Sequence, residues 1–540
     1  MNPNKICFIT CVNDEVMYQE SLLYIENLKL PESFAIENVA IREAECITQA
    51  YNSAMCSSDA KYKVYLHQDV FIINKNFVLD IIDIFERNSN IGMIGVAGSA
   101  QIPTNGIWWE SKQNYGKVYD SHSGKMELVS FLEVSGEYQN VQVIDGLILI
   151  TQYDIPWRED IFTGWHFYDL SQSIEFLRSG YEVAVPKQAE PWCIHDSGVA
   201  NVSNGFNCYR KQFLEEYSKD LLPLVSILIP AYNQPAYLEK ALVSALAQDY
   251  YNCEIVICDD STLKDVEILV KRYQSKYKHI KYYNNGGPLG GKGAVNIQKC
   301  FDICQGEYIG YLLHDDLYMP NKVSTMMNYL LANRNIKLVT SYRKLIDAND
   351  HVLPDFHVTR PLFDKNTKIK GRDIGRYMLT NIANVIGEMS TTLYRKADIV
   401  SNLLNFQGYQ TRCLGDVALW LSLLEKGDLL YVREPLSCFR IHQEQNTNNH
   451  ELQILGAIDW YKLIILAYQQ QVYLDQENIN QALKEWINRH KHLISNKQVP
   501  LYKKKELYSE LESCYNEAIN WLNKAEPLDK EELKRGTCSG

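Results

Sequence analysis

Two apolar runs in this chain end in short polar clusters with the chemistry of a divalent-cation site. KVYLHQDVFI carries His67-Gln68-Asp69, and GYLLHDDLYMP carries His314-Asp315-Asp316. Hard cations favour carboxylate oxygens gathered at such a turn, and Asp315 with Asp316 makes the stronger pair. His442, in CFRIHQEQ, could complete a mixed oxygen and nitrogen set of the kind manganese accepts. Such a cation matters most where a diphosphate departs, because it offsets charge growing on the leaving oxygen. Asp416, at the start of an amphipathic segment, could take a proton from an attacking hydroxyl. These parts suit an in-line displacement. No GxSxG, HExxH or P-loop order competes with that reading.

Taken singly, each residue has a plainer explanation. An aspartate at a helix start is by default an N-cap worth about 1 kcal/mol, a strand-end Asp-Asp is usually a solvated turn, and a lone histidine usually serves its loop. Repetition changes the balance. Asp69 to Asp169 and Asp316 to Asp416 are both 100 residues, and Asp169 to His195 and Asp416 to His442 are both 26. Each of these helical segments reaches a glycine (Gly180, Gly427) 11 residues after its aspartate. The landmarks therefore share one offset of 247 residues, whereas CFITCVND and VSILIPAYN are offset by 220. One domain type occurs twice, and the first copy is shorter ahead of its acidic motif.

Apolar strands alternate with helical stretches in both copies, which predicts an α/β fold with a largely parallel sheet. Ligands then bind beyond the carboxyl ends of the strands, where Asn13, Asn233, Asp69 and Asp316 fall. A chain of 540 residues accommodates two such domains and an appendage. We place an N-terminal domain at 1–203, a linker helix at 204–222, a second domain at 223–450 and a helical C-terminal region at 451–540. The net charge of −12 argues against a nucleic-acid partner. The 14 scattered cysteines read as reduced thiols, and no window reaches the length of a membrane span. A cytoplasmic protein is expected. The glycine run from Gly286 to Gly293 lacks P-loop order and reads as a flexible loop beside a nucleotide.

With these motifs in order, Val225 to about Gln445 resembles the family 2 glycosyltransferases of A-type fold. The matching pieces are VSILIPAYNQPAYLEKALVSALAQ, EIVICDDST, GAVN before GEYIGYLLHDDLYMP, NVIGEMSTTLYRK, LGDVALWLSLL and EPLSCFRIHQEQ. The resemblance implies a nucleotide site at Pro230, Tyr232, Asp259, Asp260, Asn296 and Asp315. It also implies Asp316 as metal ligand, His442 as the later loop contact, Asp416 as base, and Glu388 and Met389 on the acceptor side. Residues 1 to about 200 look like a more divergent member of the same superfamily. There the matching positions are Thr10, Asn13 and Gln68 for the nucleotide, Asp69 and His195 for metal, and Asp169 for the base. Gln68 replaces a carboxylate, only Glu43 or Glu45 could stand for Asp259-Asp260, and Val295 stands where the family often has arginine.

What the resemblance implies is an inverting, metal-dependent transfer from a nucleoside diphosphate sugar, UDP-linked by expectation, with Mn²⁺ or Mg²⁺. The acceptor would be a glycan, glycolipid or glycoprotein. Two active sites would make a two-sugar or repeating unit; the alternative is a non-catalytic, sugar-binding first domain. A nucleotidyltransferase is disfavoured because AYNQPAYLEK is not the glycine-rich basic loop it needs. Trp108, Trp109, Trp165 and Trp420 are candidates to stack on sugars, with Trp108-Trp109 expected to be exposed and Trp420 equally suited to the core. The apolar stripe Leu452, Leu455, Ile458, Trp460, Tyr461 and Ile464 predicts packing on the second domain. Its alternative is a homodimer surface or a peripheral membrane contact assisted by Lys503 to Lys505.

Overall fold

The computed structural model describes residues 1–199, 203–356, 359–400, 402–443, 450–495 and 505–525. Lys503, Lys504 and the tail after Pro527 lie outside the described residues. The chain divides into two units, Met1–Leu222 and Pro223–Gly540. Among the described residues no helix is long and apolar enough to cross a membrane, and the described cysteines are all free.

The first unit carries a seven-stranded sheet in the order Ala35–Arg42, Asn2–Val12, Ala60–Leu66, Ile148–Thr151, Ile91–Gly95, Glu182–Pro186, Tyr138–Asn140. The first three strands are parallel, Ile148–Thr151 is antiparallel to both neighbours, and Ile91–Gly95 pairs in parallel with Glu182–Pro186. The second unit repeats this order and these directions with Cys253–Asp259, Val225–Ala231, Tyr308–Tyr311, Thr392–Arg395, Ile336–Ile346 and Asp428–Arg440. Runs such as Ile227–Ile229 and Val256–Cys258 are apolar throughout because helices cover both faces of the sheet, and they are fully buried.

Two differences separate the units. After Cys253–Asp259 the second unit inserts helix Asp265–Gln274, strand Ile280–Asn284 and the glycine run before helix Ala294–Ile303. In the first unit Arg42 leads almost directly into helix Ile47–Ser57, which accounts for its shorter spacing. The last strand of the second unit runs unbroken to Arg440, whereas its counterpart is split. Cys193–His195 instead joins a separate sheet between Asn114–Asp120 and Val70–Ile72.

Helix Phe206–Leu221, expected as a linker, belongs to the first unit. Its Phe213 and Tyr217 are buried against Phe167 and Phe162, and Arg158 and Arg178 both bind its Glu216. The C-terminal helices His450–Gln469, Gln476–Ser495 and Lys505–Ala525 pack within the second unit. Ile454, Ile458, Trp460, Tyr461 and Ile464 share one apolar cluster with Met378, Phe406 and Trp420. Ile458, Trp460, Tyr461 and Ile464 of the stripe are thus part of the unit's own core, Leu455 is buried beside them, and Leu452 is half-buried. Trp486 is fully buried there, donates its indole N–H to the Ala457 carbonyl at 2.7 Å, and lies 5.2 Å from the Tyr461 ring. Trp486→Ala should cost about 3–5 kcal/mol, read as a lower urea midpoint for the second unit; an unchanged midpoint would show that these helices add nothing to its stability.

Candidate active sites

In the second unit, strands Val225–Ala231 and Cys253–Asp259 end in register, Ala231 opposite Asp259. Asn233 takes a left-handed turn (φ 47°) in which its N–H donates to Ser261 Oγ at 2.8 Å and its Oδ1 accepts from Thr262 N at 2.9 Å. Asp259 is buried and accepts from Ser261 N at 2.8 Å and the Tyr282 hydroxyl at 2.6 Å. Asp260 accepts from Asn285 Nδ2 at 2.7 Å, and Asn296 donates to the Cys258 carbonyl at 2.9 Å. Leu289 N reaches Asp260 at 3.3 Å, tying the glycine run to the same network. Tyr232 is exposed on the rim, and the Pro230 carbonyl lies 3.2 Å from His314 Nδ1.

The acidic motif is not a solvated turn. Asp316 is fully buried; its Oδ1 accepts from Arg440 N at 3.0 Å, and its Oδ2 has no protein partner. Burial, reinforced by the neighbouring Asp315 charge, drives its carboxyl well above the usual range. His442 meets Asp315 rather than Asp316, with Nε2 3.2 Å from Asp315 Oδ2. Arg440 braces the motif by donating Nε to the Asp315 carbonyl at 2.7 Å, with its guanidinium 4.8 Å over the Tyr237 ring. The donor types suit a divalent ion with mixed ligands, but the ligand atoms of Asp315, Asp316 and His442 do not all lie within 4.8 Å of one another.

Asp416 lies in the first turn of helix Gly415–Leu424, but Leu414 is the N-cap residue and makes no side-chain cap. Asp416 Oδ2 accepts from Asn384 Nδ2 and Oδ1 from Val417 N, each at 2.8 Å. Burial, with the Glu388 charge beside it, pushes its carboxyl up to about 6 against these hydrogen bonds. The loop leading into this helix is held from another helix. Asp459, on His450–Gln469 and fully buried, accepts from the N–H groups of Arg412 (2.9 Å), Cys413 (2.7 Å) and Leu414 (3.0 Å) and from the Tyr409 hydroxyl (2.7 Å). It ties down the N-cap Leu414 and the two loop residues before it, and so fixes the entry to Asp416. A cleft of about 840 Å³ opens beside Asp416, lined by Glu388, Met389, Lys292, Leu414, Trp460 and Leu493 among others.

In the first unit His67, Asp69 and His195 bring ligand atoms within 4.8 Å of one another. Asp69 and His195 were expected; His67 joins them. Asp69 Oδ1 is buried without a hydrogen-bond partner, and the nearest imidazole nitrogen, His195 Nε2, is 3.7 Å away. Gln68 braces the loop instead, its Oε1 accepting from Asn13 N and Asp14 N at 2.9 Å each. Asp169 Oδ2 accepts from Gly146 N at 2.8 Å, and burial together with the Asp145 charge pushes its carboxyl up to about 7. Asp145 stands shortly before strand Ile148–Thr151 as Glu388 stands before Thr392–Arg395.

A cleft of about 400 Å³ is lined by Asn13, Glu43, His67, Gln68, Asp69 and Trp165 with their neighbours. Thr10 is buried within its strand and does not line it. The last register pair of the first two strands is Val12–Arg42, so a guanidinium ends the strand whose counterpart ends in Asp259, with Glu43 next along the chain. Among the tryptophans, Trp165 and Trp109 are exposed, while Trp420 is core. Trp108, expected at the surface, is buried beside Phe131. His67 stood inside a motif already noted, and Asp459 is an isolated acid in an apolar helix, a detectable signal. Asp120, which holds His195, has no local signature.

Comparison with known proteins matches residues 7–217 to the model described as Glycosyltransferase like family and residues 226–397 to Glycosyl transferase family 2. An uncharacterized glycosyltransferase of Rickettsia typhi is 28% identical over 269 residues, covering 49% of this chain and 78% of the relative. The UDP-Glc:alpha-D-GlcNAc-diphosphoundecaprenol beta-1,3-glucosyltransferase of Escherichia coli is 32% identical over 208 residues, covering 38% of this chain and 72% of the relative. A Rickettsia bellii glycosyltransferase is 36% identical over 146 residues, of which the chain spans 20% of the relative's length. The solved structure of S. aureus TarS aligns at TM-score 0.40 and 17% identity, over 57% of this chain and 50% of that one.

Asp459→Ala removes the acceptor shared by the N–H groups of Arg412, Cys413 and Leu414, at about 0.5–1.5 kcal/mol for each of these part-buried hydrogen bonds. Hydrogen exchange at those three amides should accelerate well beyond that at Val256 in the sheet centre. Equal acceleration at both places would mean Asp459 supports the unit globally and not this loop.

Proposed function

The chain belongs to the family 2 glycosyltransferases, and from that premise we propose an inverting, metal-dependent transfer of a sugar from a UDP-linked donor to a hydroxyl of a glycan, glycolipid or glycoprotein. The observation that carries this reading is the second unit's pairing of a buried, unpartnered Asp316 oxygen with an Asp416 carboxyl held at about 6 beside an open cleft. The nucleoside is assigned to the strand-end network of Pro230, Tyr232, Asp259, Asp260 and Asn296. Asp316 and His442 are the proposed ligands for Mn²⁺ or Mg²⁺, with Asp315 beside them on the nucleotide side; the ion when bound would stabilise charge on the departing diphosphate.

Asp416 accepts the acceptor hydroxyl's proton while that oxygen forms its bond to the anomeric carbon. The bond to the diphosphate oxygen breaks on the opposite face, and the nucleoside diphosphate leaves. Asn384 and Val417 N keep the carboxylate aimed, and Glu388 raises its basicity. The E. coli relative is named for a diphosphoundecaprenol-linked sugar, so lipid-linked sugars are the first acceptors to test.

For the first unit we propose the same chemistry with Asp69 and His195 at the metal and Asp169 as base. A second reading, a sugar-binding module without catalysis, is favoured by Arg42 at the strand end and by the missing glycine run. Asp69→Ala and Asp169→Asn, assayed with each nucleotide sugar, decide between them; if both variants keep every transfer activity, only the second unit is an enzyme.

Incubation with a panel of UDP-sugars and acceptors should release UDP, and absence of release across the panel would overturn the donor class. Asp416→Asn should lower turnover by about 100- to 10,000-fold. The base works only when ionised, so turnover should fall by about tenfold per pH unit below the Asp416 value of about 6 and level off above it. A rate that rises on acidification through 6 would remove Asp416 from the role of base.

A further inference from the structure

We propose that the first unit holds a centre of two imidazoles and one carboxylate, His67, Asp69 and His195, which binds Mn²⁺, Co²⁺ or Zn²⁺ in preference to Mg²⁺. This deepens the proposed metal dependence by adding His67 as a ligand and by fixing the class of ion. Among the described residues, only here do three histidine, cysteine or acidic ligand atoms lie within 4.8 Å of one another. The Asp69 oxygen that faces His195 Nε2 at 3.7 Å is buried and otherwise unpartnered. A histidine merely satisfied by its loop leaves that oxygen unexplained.

The surrounding shell is built for ligation. Asp120 Oδ2 lies 2.8 Å from His195 Nδ1, which fixes that ring with Nε2 towards Asp69. Asp120 is itself held by the His122 N–H at 2.7 Å and by His122 Nδ1 at 2.8 Å, a carboxylate–histidine arrangement of the kind that orients metal-binding imidazoles. His67 Nε2 lies 2.7 Å from the hydroxyl of buried Tyr168, leaving its other ring nitrogen available. The rings of His67 and His195 are 5.6 Å apart. Asp145 contributes further negative charge at both histidines.

Two imidazoles decide the ion. Mg²⁺ takes oxygen ligands and gives up its waters reluctantly, whereas imidazole suits zinc, cobalt and their neighbours, with manganese tolerant of mixed sets. In the second unit His314 turns its Nδ1 to the Pro230 carbonyl and His442 meets only Asp315, and among the described residues no three such ligand atoms gather there.

The test uses the full chain, stripped with a chelator, in a His442→Ala background that removes the second unit's imidazole. Mn²⁺ binding is followed by electron paramagnetic resonance, with pulsed detection of nitrogen couplings, and Co²⁺ and Mg²⁺ are titrated in competition. We expect couplings from two imidazoles. His67→Gln, which keeps a polar group opposite Tyr168, and His195→Ala should each remove one coupling and weaken Co²⁺ binding by about tenfold or more, and Asp120→Asn should weaken it by about tenfold. Affinity and couplings unchanged in a folded His67→Gln chain, or Mg²⁺ competing equally with Co²⁺, overturn the proposal. UDP release measured on the chain with His442 intact separates the two readings: it can persist while this centre fails, and the centre can stand where no UDP is released.

Discussion

A parallel strand delivers whatever follows it to the same rim of its sheet, and both units are organised by that constraint. In each, three parallel strands converge on one edge and an antiparallel strand is set beside the third. That reversed strand matters because the chain entering it comes from the rim. Asp145 and Glu388 therefore arrive next to the acidic motif from the opposite direction, close enough for their charge to raise Asp169 and Asp416. The acidic residues proposed for metal and for proton transfer are thus brought to one rim by backbone direction, before any side chain chooses its partner.

The same frame is furnished differently in the two copies. The second unit keeps a carboxylate at the end of the strand beside Val225–Ala231 and extends it with a helix, an edge strand and the glycine run. The first ends that strand in Arg42, which pairs with Glu15 at 3.0 Å, and turns at once into the next helix. Its acidic motif trades a carboxylate for Gln68, which ties the first loop down, while His67 and His195 supply nitrogen. One topology therefore supports a corner with two adjacent carboxylates and a corner where two imidazoles gather beside one carboxylate.

Much of this was legible in the residues. The common spacing of Asp69, Asp169 and His195 with Asp316, Asp416 and His442 revealed the duplication, because strand and helix lengths between rim positions are held by the fold. Apolar runs identified buried strands, and the C-terminal stripe identified a packing face. Other features were not legible, because they depend on which elements meet in space. Asp120 comes from a strand far from His195 in sequence, His442 reaches Asp315 and not Asp316, and Trp108 is turned inward while Trp109 is not. Helix Phe206–Leu221 looked like a connector because its polar face dominates, yet two arginines from the first unit bind that face.

The hold that Asp459 has on the loop before Asp416 also bears on how such chains can be cut and recombined. A segment that scans as an appendage after the matched region supplies the hydrogen-bond acceptor for three amides just before Asp416. The unit of inheritance is then longer than the unit of resemblance. A graft that exchanges one transferase core for another has to carry its own following helix, or it inherits Asp416 without the acceptor that holds the loop before it.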